Sequence, residues 1–203
     1  MVTRMLALSL VIASSCRREP PPVGYEPAAA PTSTASIPLS PASGRIAGKP
    51  FTVAAARYSI DRRPGYEKVE IELLAEKPDK PCGDVAMKHA TSVWLRVNGV
   101  DAVRAETVRI ESGKPGPWEA HYQVFDQKKW IGNGDASALI AMSAPAPDMK
   151  LSGELSACFG DGSKSCIAGR FEAIYCPIRI DALVRGSDAM ERPPAGKLHA
   201  STP

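Results

Sequence analysis

Long apolar runs are missing from this chain. The nearest approach, residues 5–13, is apolar except for Ser9. At about 1.5 Å per helical residue it would span roughly 14 Å, far short of a bilayer's hydrocarbon core. That excludes a transmembrane helix there. Charge of one sign is scarce too: the net charge is +3, and lysines and arginines alternate with acids in stretches such as "DRRPGYEKVEIELLAEKPDK". Without a basic stripe there is no footprint for nucleic acid. No G-x-S-x-G occurs, so a serine nucleophile elbow has no place. No C-x-x-C occurs either, although three cysteines fall within residues 158–176, so metal-site spacing is absent. No motif for a cofactor is present, and no strongly amphipathic helix of useful length can be drawn.

What stands at the front is "LALSLVIASSC", residues 6–16, preceded by Arg4. A basic residue, a short apolar segment and small residues at its end are the plan of a secretory signal peptide. An ordinary signal peptide has no need of Cys16. "ASSC" resembles the lipobox of bacterial lipoproteins, departing from it at Ala13, where that family prefers Leu. The resemblance implies that residues 1–15 are removed and that Cys16 carries the acyl chains, an anchor rather than a catalytic thiol. Two or three such chains suffice for stable attachment to a membrane. Arg17, where an aspartate would favour the inner membrane, implies passage to the outer membrane of a bacterial envelope, facing periplasm or surface.

Residues 17–44 hold seven of the chain's 19 prolines and no apolar period. Such a stretch buries too little to offset its ordering entropy. Residues 16–44 are therefore expected to be a lipidated cysteine and a tether, reaching roughly 85 Å if extended and roughly 30 Å as a coil. Residues 45–185 leave one domain's worth of chain, and residues 186–203, polar and proline-bearing, form an expected tail.

Within the domain, alternation dominates. "KVEIELL" puts Val69, Ile71 and Leu73 on one face and Lys68, Glu70 and Glu72 on the other. "VWLRV", "TVRIE", "AHYQVFD", "ASALIAM", "LSGELSAC" and "GRFEAIY" continue the pattern, separated by turn signals such as Asn98-Gly99 and "FGDG". Period-two segments between Gly, Pro, Asn and Asp clusters predict antiparallel strands. With "RIAG" and "FTVAAARYS" they number eight to ten, and residues 84–92 add at most a helical turn or two. The expected fold is an all-β, antiparallel sandwich, with a barrel as the alternative.

With Cys16 assigned to lipid, Cys82, Cys158, Cys166 and Cys176 form an even set in an exported chain, which reads as a disulfide framework. Cys158 and Cys166 bracket a turn between two predicted strands and should meet, leaving Cys82 for Cys176. The loops they close are worth roughly 2.6 and 4.7 kcal/mol on the chain-entropy model. The segment "GRFEAIYC", with Gly169, Phe171, Ala173 and Cys176, also resembles the final strand of uncharacterised bacterial lipoproteins that carry one β-sandwich domain and an earlier cysteine in a loop like "KPCGD". That resemblance implies a fold and a disulfide, and no activity.

Candidates for chemistry are few. His121 falls on the polar face of its strand, and His89 is expected in a surface loop. Asp135 and Asp161 sit in glycine-rich turns of the kind calcium loops use, but one carboxylate per turn falls short of the six or more oxygens required. Trp118 and Trp130 flank turns and are expected to plug an end of the fold. Trp94 alternates against Val93 and Leu95, so it lies either inside with those two outside, or exposed as a contact surface. The function expected is a lipid-anchored binding or structural module, its partner an envelope protein or a polysaccharide. The alternative is an envelope hydrolase, which would need acids such as Glu70, Glu72, Asp135 and Asp161, or His121, converging in a cleft.

Overall fold

A computed structural model describes residues 33–83, 90–100, 102–126, 129–146 and 148–178. Cys16, the signal-like segment, residues 17–32 of the expected tether, His89 and residues 186–203 lie outside the described residues.

Eleven strands follow one another: β1 (Ser43–Ile46), β2 (Lys49–Thr52), β3 (Ala55–Asp61), β4 (Lys68–Leu74), β5 (Thr91–Asn98), β6 (Glu106–Ile110), β7 (Trp118–Asp126), β8 (Lys129–Asn133), β9 (Ala136–Met142), β10 (Lys150–Phe159) and β11 (Cys166–Tyr175). Among the described residues the only helical turn is a 3-10 turn at Thr34–Ser36. Alternation works as the sequence predicts. Val69, Ile71 and Leu73 of β4, Val93, Leu95 and Val97 of β5, and Ala120, Tyr122 and Val124 of β7 are all buried.

The strands hydrogen-bond in one sheet, ordered β6-β9-β10-β11-β3-β4-β5-β7-β8, with the β1–β2 hairpin joined through β1 to β11. The two stacked antiparallel sheets expected from the strand spacing are not drawn by these bonds. The sheet is mixed, because β11 pairs with β3 in parallel, and it curls into a half-barrel. The curl follows from one short connection and one ring contact. Only Gly134 and Asp135 separate β8, at one end of the order, from β9, next to the other end. Three steps of about 3.8 Å cannot bridge a flat nine-strand sheet. The rings of Tyr122 on β7 and Phe159 on β10 likewise stand 5.1 Å apart, edge to face. In a flat sheet the four strands between them would hold them about 24 Å apart. One core fills the hollow so formed, with Tyr58, Phe51, Phe159 and Ile71 fully enclosed.

β11 is where the sheet changes partners. Its first half bonds to β1, from Cys166 to Ala168, and its last to β3, from Ala173 to Tyr175. Between them the chain at Ser40 to Ala42 exchanges bonds with Arg170: Arg170 donates to Ser40 O at 2.8 Å and accepts from Ala42 N at 2.8 Å. Packed structure therefore starts before residue 45. Ile37 and Ala42 are buried, because even a proline-rich stretch contributes where an isolated apolar residue meets a waiting strand edge.

Candidate functional site

Two disulfides fix the frame, Cys82 with Cys176 and Cys158 with Cys166. The second joins directly opposed residues of β10 and β11, the geometry expected from the turn between them. The first fastens the loop after β4 to the end of β11.

Of the expected site residues, Asp135 and Asp161 serve the corners. The Asp161 carboxylate accepts four bonds: from the Tyr122 hydroxyl at 2.6 Å, the Ser165 hydroxyl at 2.6 Å, and the Ser165 and Ser163 amides at 3.0 and 3.2 Å. These donors hold its carboxyl below the ordinary value against the opposing effect of burial, the largest single influence. They also pin the β10–β11 loop to β7 across the half-barrel. Burial, then Asp161 itself, pushes the Tyr122 phenol up to about 12. Asp135 accepts from Ser112 Oγ at 2.5 Å, and its carbonyl takes the Gly160 amide at 2.7 Å.

His121, Glu70 and Glu72 come together elsewhere, on the outer face of β3, β4, β5 and β7. The register sets them in two rows: Arg57, Glu72, Trp94 and His121 in one, Ser59, Glu70, Arg96 and Glu119 in the next. Arg57 Nε donates to Glu72 Oε2 at 2.5 Å, and Arg57 also donates to Gly83 O at 2.8 Å, tying the loop beside Cys82 to the ladder. Arg96 Nε donates to Glu70 Oε1 at 2.7 Å, and Lys68 Nζ lies 3.2 Å from Glu70 Oε2. Both acids are thus largely enclosed, Glu72 to 7 % exposure. Trp94 donates from Nε1 to Ser92 Oγ at 2.8 Å, and its ring lies parallel to that of His121 with centroids 6.0 Å apart. Burial pushes the His121 imidazole below its ordinary value and Arg96 adds to this, while Glu70 and Glu119 oppose it. Trp118 is buried at one end of the core, but Trp130 is 49 % exposed. Trp130 plugs no end of the core: it stands on β8, the last strand of the sheet, with its ring against Phe125.

Among the hollows on the described surface, two lie beside the expected candidates or the entry of the tether. A small one of about 170 Å³ lies between Arg57, Glu70, Trp94 and the Cys82–Cys176 bridge. A larger, open groove of about 780 Å³ runs between Leu39, Pro41, the start of β3, the end of β9, the first half of β10 and the middle of β11. Its floor includes Met142 and Phe171, and its rim carries Glu154 and Arg170, paired at 2.8 Å. The Phe171 ring lies over Gly153, so closely that a methyl group there would come within 2.3 Å of it. Volume, apolar floor and a few polar rim groups are what small-ligand sites share. No protein-family model matches the chain, and neither a curated protein nor a solved structure does.

Asp135, Asp161 and His121 line neither hollow. Arg57, Arg96, Leu39, Met142 and Phe171 are the residues sequence reasoning missed. Arg96 stood outward in "VWLRV", but its partner across the sheet depends on register. The groove joins residues from both ends of the domain, and no local pattern announces it.

Proposed function

We propose that the protein is a lipid-anchored component of a bacterial cell envelope, attached through Cys16, whose β domain binds a partner in the groove between Leu39 and Phe171. The observation that supports this reading is the pair of disulfides, joining residues 94 and 8 positions apart. Such bonds persist in oxidising compartments and are rare in reducing ones. An exported chain with a lipobox-like cysteine is then most simply anchored by it. The groove supplies the site. It lies beside residues 39–41, where the tether enters the domain, and its charged rim over an apolar floor suits a partner that is itself partly polar, such as an envelope protein or a polysaccharide.

Fractionation tests the anchor. Wild-type protein should sediment with membranes and yield, by mass spectrometry, a lipid-sized mass on a peptide beginning at Cys16. Cys16→Ser should move to the soluble fraction with its fold unchanged. Recovery of an unmodified Met1 from membrane-free extract would end the reading. A groove-filling variant, Ala54→Trp, should then abolish crosslinks to the envelope partner while leaving attachment intact.

A further inference from the structure

We infer that β8 is a pairing edge for a second copy of this chain, related by a two-fold axis through Ile131. Three strands have an edge that no other described strand covers: β2, β6 and β8. An unpaired edge is a template for another strand unless something blunts it. β2 is blunted by Pro50, which has no N–H to donate. β6 keeps its apolar side chains, Val108 and Ile110, in the core. β8 does neither. Trp130 is 49 % exposed and Ile131 39 % exposed, although neighbours in a strand point to opposite faces. A partner docking on one face of the sheet would cover only one of them. A strand added to the edge covers both.

The backbone says which groups are on offer. Phe125 N–H bonds to Ala90 O, on the β5 side of β7. In β7, therefore, Tyr122, Val124 and Asp126 are the residues whose polar groups face β8. Their register partners are Asn133, Ile131 and Lys129. The N–H and C=O of Trp130 and Gly132 consequently point away from the sheet. An antiparallel copy of β8 centred on Ile131 sets Trp130 opposite the partner's Gly132, and Gly132 opposite the partner's Trp130. Both are hydrogen-bonded pairs, so all four groups on each copy are satisfied.

The side chains fit the same register. Each tryptophan, leaning on Phe125 with centroids 5.2 Å apart, meets a glycine, which leaves room for the ring. The fold already places Phe171 over Gly153, its cross-strand partner, in this way. Ile131 meets its own copy at the axis. Lys129 meets the partner's Asn133, so the like charges do not face one another. Any shift of two residues would lose the tryptophan–glycine match. The surface is self-complementary, as a two-fold interface must be.

Sedimentation equilibrium of the full chain should show a dimer that dissociates on dilution. Ile131→Lys and Ile131→Glu, changes at an exposed position, should each be monomeric with unaltered circular dichroism, and an equimolar mixture of the two should recover the doubled mass. In a Cys16→Ser background, Ile131→Cys should oxidise to a covalent dimer, and Leu39→Cys, at a position 70 % exposed, should not. A chain that stays monomeric at every concentration would overturn the inference. So would a dimer that survives both charged variants, or an Ile131→Cys that crosslinks no faster than the Leu39 control.

Discussion

Asp61 shows how one side chain sets an acid limit. It is almost fully buried, yet Arg63 grips both its oxygens, Nε at 2.9 Å from Oδ1 and the terminal nitrogen at 2.6 Å from Oδ2. The Arg63 guanidinium holds the carboxyl down to about 2, from 3.8 when unperturbed. A depressed carboxylate contributes stability above its unfolded pKa and loses it as pH falls through the folded one. Denaturation midpoints followed from pH 5 downward should therefore fall between about pH 4 and pH 2, and less steeply in Asp61→Asn. Tyr58 makes the opposite case. It is enclosed beside Tyr175, ring centroids 5.4 Å apart, and its hydroxyl has no partner among the described residues. A buried unmade hydrogen bond costs about 1–3 kcal/mol. Tyr58→Phe should accordingly be neutral or stabilise by up to about 1 kcal/mol in chemical denaturation, where most core substitutions destabilise. Neither role could be read along the chain. Nothing in the strand pattern singles out Asp61, and the enclosure of Tyr58 depends on a strand more than a hundred residues away.

At the level of elements, alternation identified β4, β5, β6, β7, β9, β10 and β11, and for β4 the inward face as well, because a half-buried strand must repeat every second residue. What it could not supply is which strand lies beside which. The parallel union of β11 with β3 joins residues 173–175 to residues 56–58, and nothing local marks it. Gly169, quoted in the last strand for its likeness to others, turns out to mark the change of partner. Its φ is +139°, and a Cβ there would lie 2.6 Å from Ala42 Cα and from Ser40 O. Gly169→Ala should destabilise by about 3 kcal/mol or prevent folding, since backbone strain and overpacking add. Gly48→Ala is the control. Its φ is +76° with nothing within 4 Å, so only the left-handed conformation is penalised, by about 1 kcal/mol. Thermal melts of the two variants should separate them clearly.

For the whole molecule, covalent closure matters more at one bridge than the other. Cys82–Cys176 spans 94 positions and Cys158–Cys166 only 8. Removing the first by paired serines should cost about 4.7 kcal/mol and removing the second about 2.6 on the chain-entropy model, a difference that denaturant midpoints resolve. The longer bridge also secures Gly83 against Arg57, so its loss should loosen the outer face as well as the chain ends. The cysteine framework was legible because parity and a single turn nearly determine it. The groove and the charged ladder were not, since both are assembled from register and curl.

The nesting of the two bridges has a consequence for biogenesis. In chain order the cysteines of the domain run 82, 158, 166, 176, and the native bonds enclose one pair within the other. Within the domain, the first cysteine to follow Cys82 along the chain is Cys158, and a bond between those two is wrong. Correct pairing must wait until β11 has joined β3, or else a misjoined bond must be reshuffled by thiolate exchange. Yield of the correctly bridged protein should thus depend on the isomerising capacity of the compartment it folds in, and not on its oxidising power alone.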